Sequence, residues 1–254
     1  MLNKIKKLFG LFRFKINYPE TIIIGGPSLL RFVCNWRPCA STFYSQEGQD
    51  SFLFLEFYHL ITALDFPKIF LDVGCNHPIK YNNSYFFERS FGFNVLAIDA
   101  LDSYKLAWQE IRPTAKYITC AVGEAPGEIE FIEEIGDGIE SMFSSVLGYS
   151  GKGSGLEKKI RVLPVNTIAN LLFENQINKI GIMSMDIEGY EISALKGIDF
   201  SVVHFNFIFV ENNTKDYFGC NKVRDLLISA GYVFYARFMG LDDLFVHKSL
   251  LADR

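Results

Sequence analysis

The sequence predicts a doubly wound α/β fold, and three observations carry the prediction. Ile69, Phe70, Leu71 and Val73 form a short apolar run that ends in Asp72-Val73-Gly74, the pattern of a parallel strand buried on both faces. A second run, Asn94 to Ile98, follows at βαβ spacing and ends in Asp99. Two later runs, Ile180 to Met185 and Phe205 to Val210, likewise end in acids, Asp186 and Glu211. Ligands of open α/β sheets sit beyond the carboxyl ends of the strands, so Asp186 and Glu211 are expected to face one crevice.

The bulk composition narrows the partners. A chain of 254 residues suits one large α/β domain with a short extension, and 49% hydrophobic residues supply its core. The formal charge is −4, from 25 basic and 29 acidic residues. That balance lacks the basic footprint of a nucleic-acid binder, so no nucleic-acid partner is expected. Cys34, Cys39, Cys75, Cys120 and Cys220 are odd in number and irregularly spaced. Cys34 and Cys39 could pair or share a metal, but no second pair completes a zinc set. The simpler reading is free thiols in a reducing cytoplasm. No apolar run reaches the ~18 residues of a membrane span, and no cleavable signal pattern appears.

Taken in order, residues 1–16 carry Lys4, Lys6, Lys7, Arg13 and Lys15 between Leu2, Ile5, Phe9, Phe12 and Ile16. This spacing predicts a basic amphipathic helix that either packs on the domain or lies on the inner face of an anionic membrane. Residues 17–44, with Pro19, Gly25, Gly26, Pro27 and Pro38, read as an irregular extension. The division is therefore an extension over 1–44 and the main domain over 45–254. An apolar helix is expected from Gln49 to Leu64, with Ser45 and Asp50 suited to its start. Asn82, Asn83 and Ser84 precede a helix ending near Phe91, and another helix runs from Asp102 to Ile111. Lys116 to Val122 reads as one strand, ending at Ala121-Val122-Gly123, where a small residue lets an adenine lie against the backbone. Gly127 to Ile132 and Lys158 to Val165 read as strands. The Gly- and Ser-rich stretch 134–158 between them reads as a lid or acceptor loop, or a plain loop. Helices follow at Asn166 to Glu174, after Glu188, and at Val223 to Ala230. Strands at Tyr232 to Arg237 and Asp243 to His247 close the sheet.

The loop after the first strand reads as half of a nucleoside site. Gly74 lets the backbone turn tightly, and Asp99 can accept hydrogen bonds from both hydroxyls of a ribose. A dinucleotide site would show G-x-G-x-x-G, because helix amides cradle its pyrophosphate. Here Gly74 stands alone, and an acid precedes it. That points to the cationic S-adenosylmethionine over NAD.

Ser45-Gln46-Glu47-Gly48-Gln49-Asp50, Leu71-Asp72-Val73-Gly74-Cys75-Asn76-His77-Pro78, Asn83-Ser84, Asp99, Ala121-Val122-Gly123, Met185-Asp186-Ile187-Glu188-Gly189-Tyr190-Glu191, Leu195-Lys196-Gly197 and Glu211 run in order across residues 45–212. This ordered set resembles the FkbM family of S-adenosylmethionine-dependent methyltransferases. Pro78 departs from the glycine that many members carry and resembles a subgroup with N-H-P. The resemblance implies a Rossmann-like methyltransferase fold with a mostly parallel seven-stranded sheet and one antiparallel late strand. It also implies a sugar or natural-product hydroxyl as acceptor, such as that of a glycan or glycolipid. Gln46, Asp50, Asp72, Gly74, Asn76, Asn83, Asp99, Ala100, Ala121 and Val122 are the expected cofactor contacts. Asp50 and Asn83 equally suit helix capping.

Transfer to a hydroxyl needs a base. Asp186, Glu188, Glu211 and His77 are the candidates. Two nearby carboxylates would raise one pKa and favour that role. Alternatively, Asp186, Glu211 and Asn212 offer the oxygen ligands of Mg²⁺, which would lower the acceptor's pKa. Glu188 and Glu191 also suit the first turn of a helix by complementing its dipole. Two other functions fit less of the pattern: a nicotinamide-dependent oxidoreductase, and a non-catalytic nucleoside-binding or membrane scaffold module. The oligomeric state is open.

Overall fold

The computed structural model describes residues 43–135, 144–149, 157–212, 221–238 and 240–251, with the short strands Phe14–Lys15 (β1) and Ile22–Ile24 (β2). From residue 43 the chain forms α1 (Gln49–Ile61), β3 (Ile69–Val73), α2 (Tyr85–Phe91), β4 (Asn94–Asp99), α3 (Lys105–Ile111) and β5 (Lys116–Thr119). Next come β6 (Ala121–Val122), β7 (Gly127–Ile135), β8 (Ser145–Val146), β9 (Glu157–Asn166), α4 (Ile168–Glu174), β10 (Lys179–Met185) and α5 (Glu191–Lys196). The chain continues through β11 (His204–Glu211), α6 (Lys222–Ser229), β12 (Tyr232–Phe238) and β13 (Asp242–His247).

The main sheet has the order β1-β2-β12-β13-β11-β10-β3-β4-β5. The expected seven strands run from β12 to β5. β5, β4, β3, β10 and β11 are parallel, and β13 lies antiparallel to both β11 and β12. β2 adds to the outer edge of β12 in parallel, and β1 pairs with β2. Strand order reverses between β3 and β10, which places a crevice at their carboxyl ends.

Alternation along each strand splits the core into two layers. Leu71, Val73, Met183 and Phe205 pack with Ile168, Leu172, Leu195 and Leu227, from α4, α5 and α6. Phe70, Ile182, Phe207 and Phe209 face the other way, toward α1, α2 and α3. Phe supplies half of the buried residues of this second layer, which accounts for much of the chain's high Phe content.

Three expectations need correction. The strand expected over Lys116 to Val122 breaks at Cys120, whose N–H donates to the Asp99 carbonyl (2.7 Å). Beyond that break, β6 leaves the main sheet and starts a second one, ordered β6-β9-β7-β8. The stretch 134–158 is not one loop: Glu134 and Ile135 continue β7, Ser145 and Val146 form β8, and residue 157 opens β9. Residues 136–143 and 150–156 lie outside the described residues, as do Cys34, Cys39 and Cys220. Finally, Phe14 and Lys15 of the expected basic helix pair as a strand, while the rest of residues 1–16 lies outside the described residues. Among the described residues no helix is long and apolar enough to cross a membrane.

Asp243 ties the start of β13 to its surroundings, beside the carboxyl end of β11. Its buried carboxylate accepts from Arg224 Nε (2.8 Å), Arg237 Nη1 (2.8 Å) and Asn212 Nδ2 (2.7 Å). Removing one partner of a buried ion pair leaves an uncompensated charge. Asp243→Ala is therefore expected to cost about 3–5 kcal/mol in urea unfolding.

Candidate active site

The crevice at the reversal point is walled by the ends of β3, β4, β6 and β10 and roofed by the second sheet. Among its lining residues are Gly74, Asn76, Asp99, Ala100, Ala121, Val122, Asp186 and Glu188. The space within it is about 750 Å³, counting what is open to solvent. Its lining includes three carboxylates, Asp99, Asp186 and Glu188, and among the described residues no Lys, Arg or His.

Gly74 sets the shape. Its φ is +75°, and a Cβ built on it would stand 1.8 Å from the Asp186 carbonyl oxygen. The glycine thus admits the end of β10 against the loop after β3. That loop is further held by Asp99, whose carboxylate accepts from Asn76 N–H (2.9 Å) and Leu101 N–H (3.0 Å). Trp108 Nε1 donates to the Asn76 carbonyl (2.6 Å). Burial raises the Asp99 pKa, and the backbone donors oppose that rise. With the Ala100 N–H as a third backbone donor, the carboxylate keeps acceptor capacity for a ligand.

Other expected residues stand elsewhere. Asp72 lies beneath the loop, not in the crevice: it is buried and accepts from Asn82 Nδ2 (3.0 Å). Asn82 Oδ1 in turn accepts from Arg112 Nη1 (2.9 Å), and Arg112 also binds Ser84 and Glu88. Burial raises Asp72 to about 6 despite Ser84 and Arg112. Asp50 is buried at the start of α1, where it accepts from Tyr44 N–H, Ser45 N–H and Ser51 N–H and from the Ser45 hydroxyl. Its carboxylate ties the preceding turn to the start of α1, whose N-cap is Gly48. Gln46 is exposed on the preceding turn. Asn83 Nδ2 donates one N–H to Ser184 Oγ (2.8 Å), and its buried Oδ1 has no partner among the described residues. His77 Nδ1 accepts from Ile79 N–H (3.1 Å) and Lys80 N–H (3.0 Å), and burial with Lys80 lowers its pKa. The ring thus closes its own turn, packed against Tyr104. Asn212 Nδ2 donates to Asp243 Oδ2 (2.7 Å).

Asp186 anchors an acid group. Its carboxylate, Glu191 and Glu211 place oxygens within 4.8 Å of one another. Asp242 stands directly opposite Glu211 across the β11–β13 pair and accepts from Gln49. Asp186 opens to the crevice yet is surrounded by protein. Partial dehydration and the Glu191 charge raise it to about 6, against a hydrogen bond from Glu211. Burial and the Asp186 charge push Glu211 far above the carboxylate range. The surroundings therefore favour the protonated form at Glu211, hydrogen-bonded to Asp186. Glu188 is raised to about 8 by burial and by Asp186, and Asp242 to about 7 by burial and by Asp186. Glu188 also has φ 55°, a backbone state that non-glycine residues adopt mainly where the surroundings impose it. Glu191 Oε1 accepts from Ile187 N–H (3.0 Å) and Gly189 N–H (3.1 Å), which folds the loop back onto α5.

These raised pKa values set the pH dependence of stability. A folded-state pKa above the unfolded value means that the folded chain binds extra protons as pH rises, so ionisation penalises the fold. Stability is full below the ordinary carboxylate values, 3.8 for Asp186 and 4.5 for Glu188, and is lost as pH rises from there through about 6 and about 8 respectively. Thermal midpoints are expected to drop across that window, and Glu188→Gln is expected to flatten its upper part.

Tyr104, Tyr117, Phe131, Val146 and Tyr190 also line the crevice. Phe131 and Val146 pack with Leu101 and Leu163, so the second sheet supplies the apolar roof.

Residues 72–234 match the family described as the methyltransferase FkbM domain. Among solved structures, a TehB-like SAM-dependent methyltransferase from Corynebacterium glutamicum aligns over 86% of this chain and 97% of that one. Its identity is 11% and its TM-score 0.41. No curated protein matches the chain.

Proposed function

This chain belongs to the FkbM family of S-adenosylmethionine-dependent methyltransferases, and from that premise we propose that it methylates a hydroxyl oxygen, that of a sugar in a glycan or glycolipid. The observation that supports this reading best is the charge of the crevice: Asp99 and Asp186 line it, beside a protonated Glu188, with no cationic side chain among the described residues. Such a site favours a cation and opposes a pyrophosphate, which argues against a nicotinamide dinucleotide.

When bound, the cofactor supplies an electrophilic methyl group on a cationic sulfur. The chain's own residues do the rest. Asp99 presents acceptors for a ribose. Ala121 and Val122 give an adenine a small apolar wall, under Phe131 and Val146. Asp186, ionised above about 6, takes the proton of the acceptor hydroxyl. Glu211, protonated behind it, fixes the orientation of the carboxylate and holds its second oxygen. Much of the rate would come from positioning the two reactants, worth up to ~7–11 kcal/mol.

A second reading is favoured by the three carboxylates of Asp186, Glu191 and Glu211. They are the donors that Mg²⁺ prefers, and an ion there would lower the pKa of the acceptor hydroxyl. Residues 1–44 serve in this account as an extension, with its basic start available to the cytoplasmic face of a membrane.

S-adenosylhomocysteine is expected to raise the thermal midpoint, and NAD to leave it unchanged. The reverse result would remove the proposal. Transfer of a labelled methyl group to fractionated cell-envelope glycans tests the acceptor class. Its loss on adding EDTA would favour the ion-assisted route.

A further inference from the structure

We propose that Tyr149 is the stacking platform for a pyranose ring at the mouth of the crevice. The inference rests on the reading that the acceptor is a sugar and assigns the residue that selects it. Tyr149 is 49% exposed and stands edge-to-face with Tyr190, ring centroids 4.9 Å apart at 85°. Tyr190 lines the crevice, as do Ser144 and Val146 of the segment that carries Tyr149.

The ring is held in place before any ligand arrives. Leu147 N–H donates to the Glu130 carbonyl (2.9 Å), and Tyr149 N–H to the Val146 carbonyl (3.0 Å). Gly148, with φ +88°, turns the chain between them. The acid loop is shaped to receive this turn. Gly189 has φ +100°, and a Cβ there would come within 3.0 Å of the Tyr149 carbonyl oxygen. Tyr149 therefore sits directly over the residue that follows Glu188.

A pyranose has an apolar C–H face and a rim of hydroxyls. An exposed aromatic ring meets the face, and adjacent carboxylates accept from the rim. Asp186 and Glu188 line the crevice that Tyr190, the ring's partner, also lines. Tyrosine suits the task because it offers a large contact area with few torsions to freeze, and because its turn has already ordered it.

Saturation-transfer NMR with methyl α-D-glucopyranoside, mannopyranoside and rhamnopyranoside tests the proposal. The samples are the full chain, Tyr149→Ala and Tyr149→Phe, each with and without S-adenosylhomocysteine. Ring C–H protons of at least one sugar are expected to saturate with the wild type and with Tyr149→Phe. Affinity is expected to fall about five-fold in Tyr149→Ala, the scale of one aromatic contact. Cofactor-product affinity should be equal in all three. No saturation in the wild type, or the same affinity in Tyr149→Ala, overturns the proposal. So does weakened S-adenosylhomocysteine binding in Tyr149→Ala, which would make the ring a prop of the loop. Failure of the wild type to bind S-adenosylhomocysteine removes the methyltransferase reading, yet leaves the sugar signal readable.

Discussion

Asp186→Asn is expected to lower the methyl-transfer rate by about 10²–10⁴-fold, the range for loss of a general base, while S-adenosylhomocysteine still binds. Asn matches Asp in size and can still accept from Glu211, so the crevice should keep its shape. It cannot take the acceptor's proton. Asp186 is the candidate base because it lines the crevice and titrates near 6, and so is ionised and still basic at neutral pH. Glu188, at about 8, keeps its proton there, and Glu211 is a donor. The wild-type rate should climb with pH through about 6, and the variant should lack that limb. Single-turnover rates across pH read both effects. Full activity in Asp186→Asn would move the base elsewhere.

Gly74→Ala is expected to destabilise the chain by about 4–5 kcal/mol, at the extreme of single substitutions, and to abolish cofactor binding. The new methyl would meet the Asp186 carbonyl oxygen at 1.8 Å, and that neighbour is backbone, which cannot swing away. Gly92→Ala is the control. Gly92 closes α2 at φ +66° with nothing within 4 Å of its built Cβ, so only the left-handed penalty of about 1–2 kcal/mol applies. The difference between the two, measured by urea unfolding, isolates the contact between the β3 loop and β10. Equal costs would mean that the loop and β10 do not meet in this way.

Most of the main sheet was legible because its strands are apolar runs with polar ends. β3, β4, β10 and β11 fall within a residue or two of the runs read from the sequence. The switch at Cys120 was not legible: Lys116 to Val122 has one continuous pattern, and only the hydrogen bond to Asp99 divides it. The second sheet was hidden for a similar reason. β7 and β9 read as strands, but nothing local says which sheet they join.

The site was legible where a residue closes a strand. Gly74, Asp99, Ala121 and Asp186 were found that way, and all line the crevice. Asp72 lies outside the crevice lining because its strand face, not its place in the motif, sets where it points. It shares a face with Phe70, toward α1 to α3, and its network includes Arg112, forty positions along the chain. Period-two alternation could have supplied that signal. The crevice residues Phe131 and Val146, and the acid-cluster member Asp242, come from segments whose approach depends on the folded topology, so no spacing in the sequence announces them.

The crevice beside Asp99 is expected to hold an adenosyl cofactor. Calorimetric titration of S-adenosylhomocysteine into the wild type and Asp99→Asn tests it most directly. One molecule per chain should bind the wild type, and the variant should bind at least about ten-fold more weakly, the scale of a hydrogen bond to a charged group. Absence of binding heat in the wild type, or equal affinity in the two proteins, would contradict the claim.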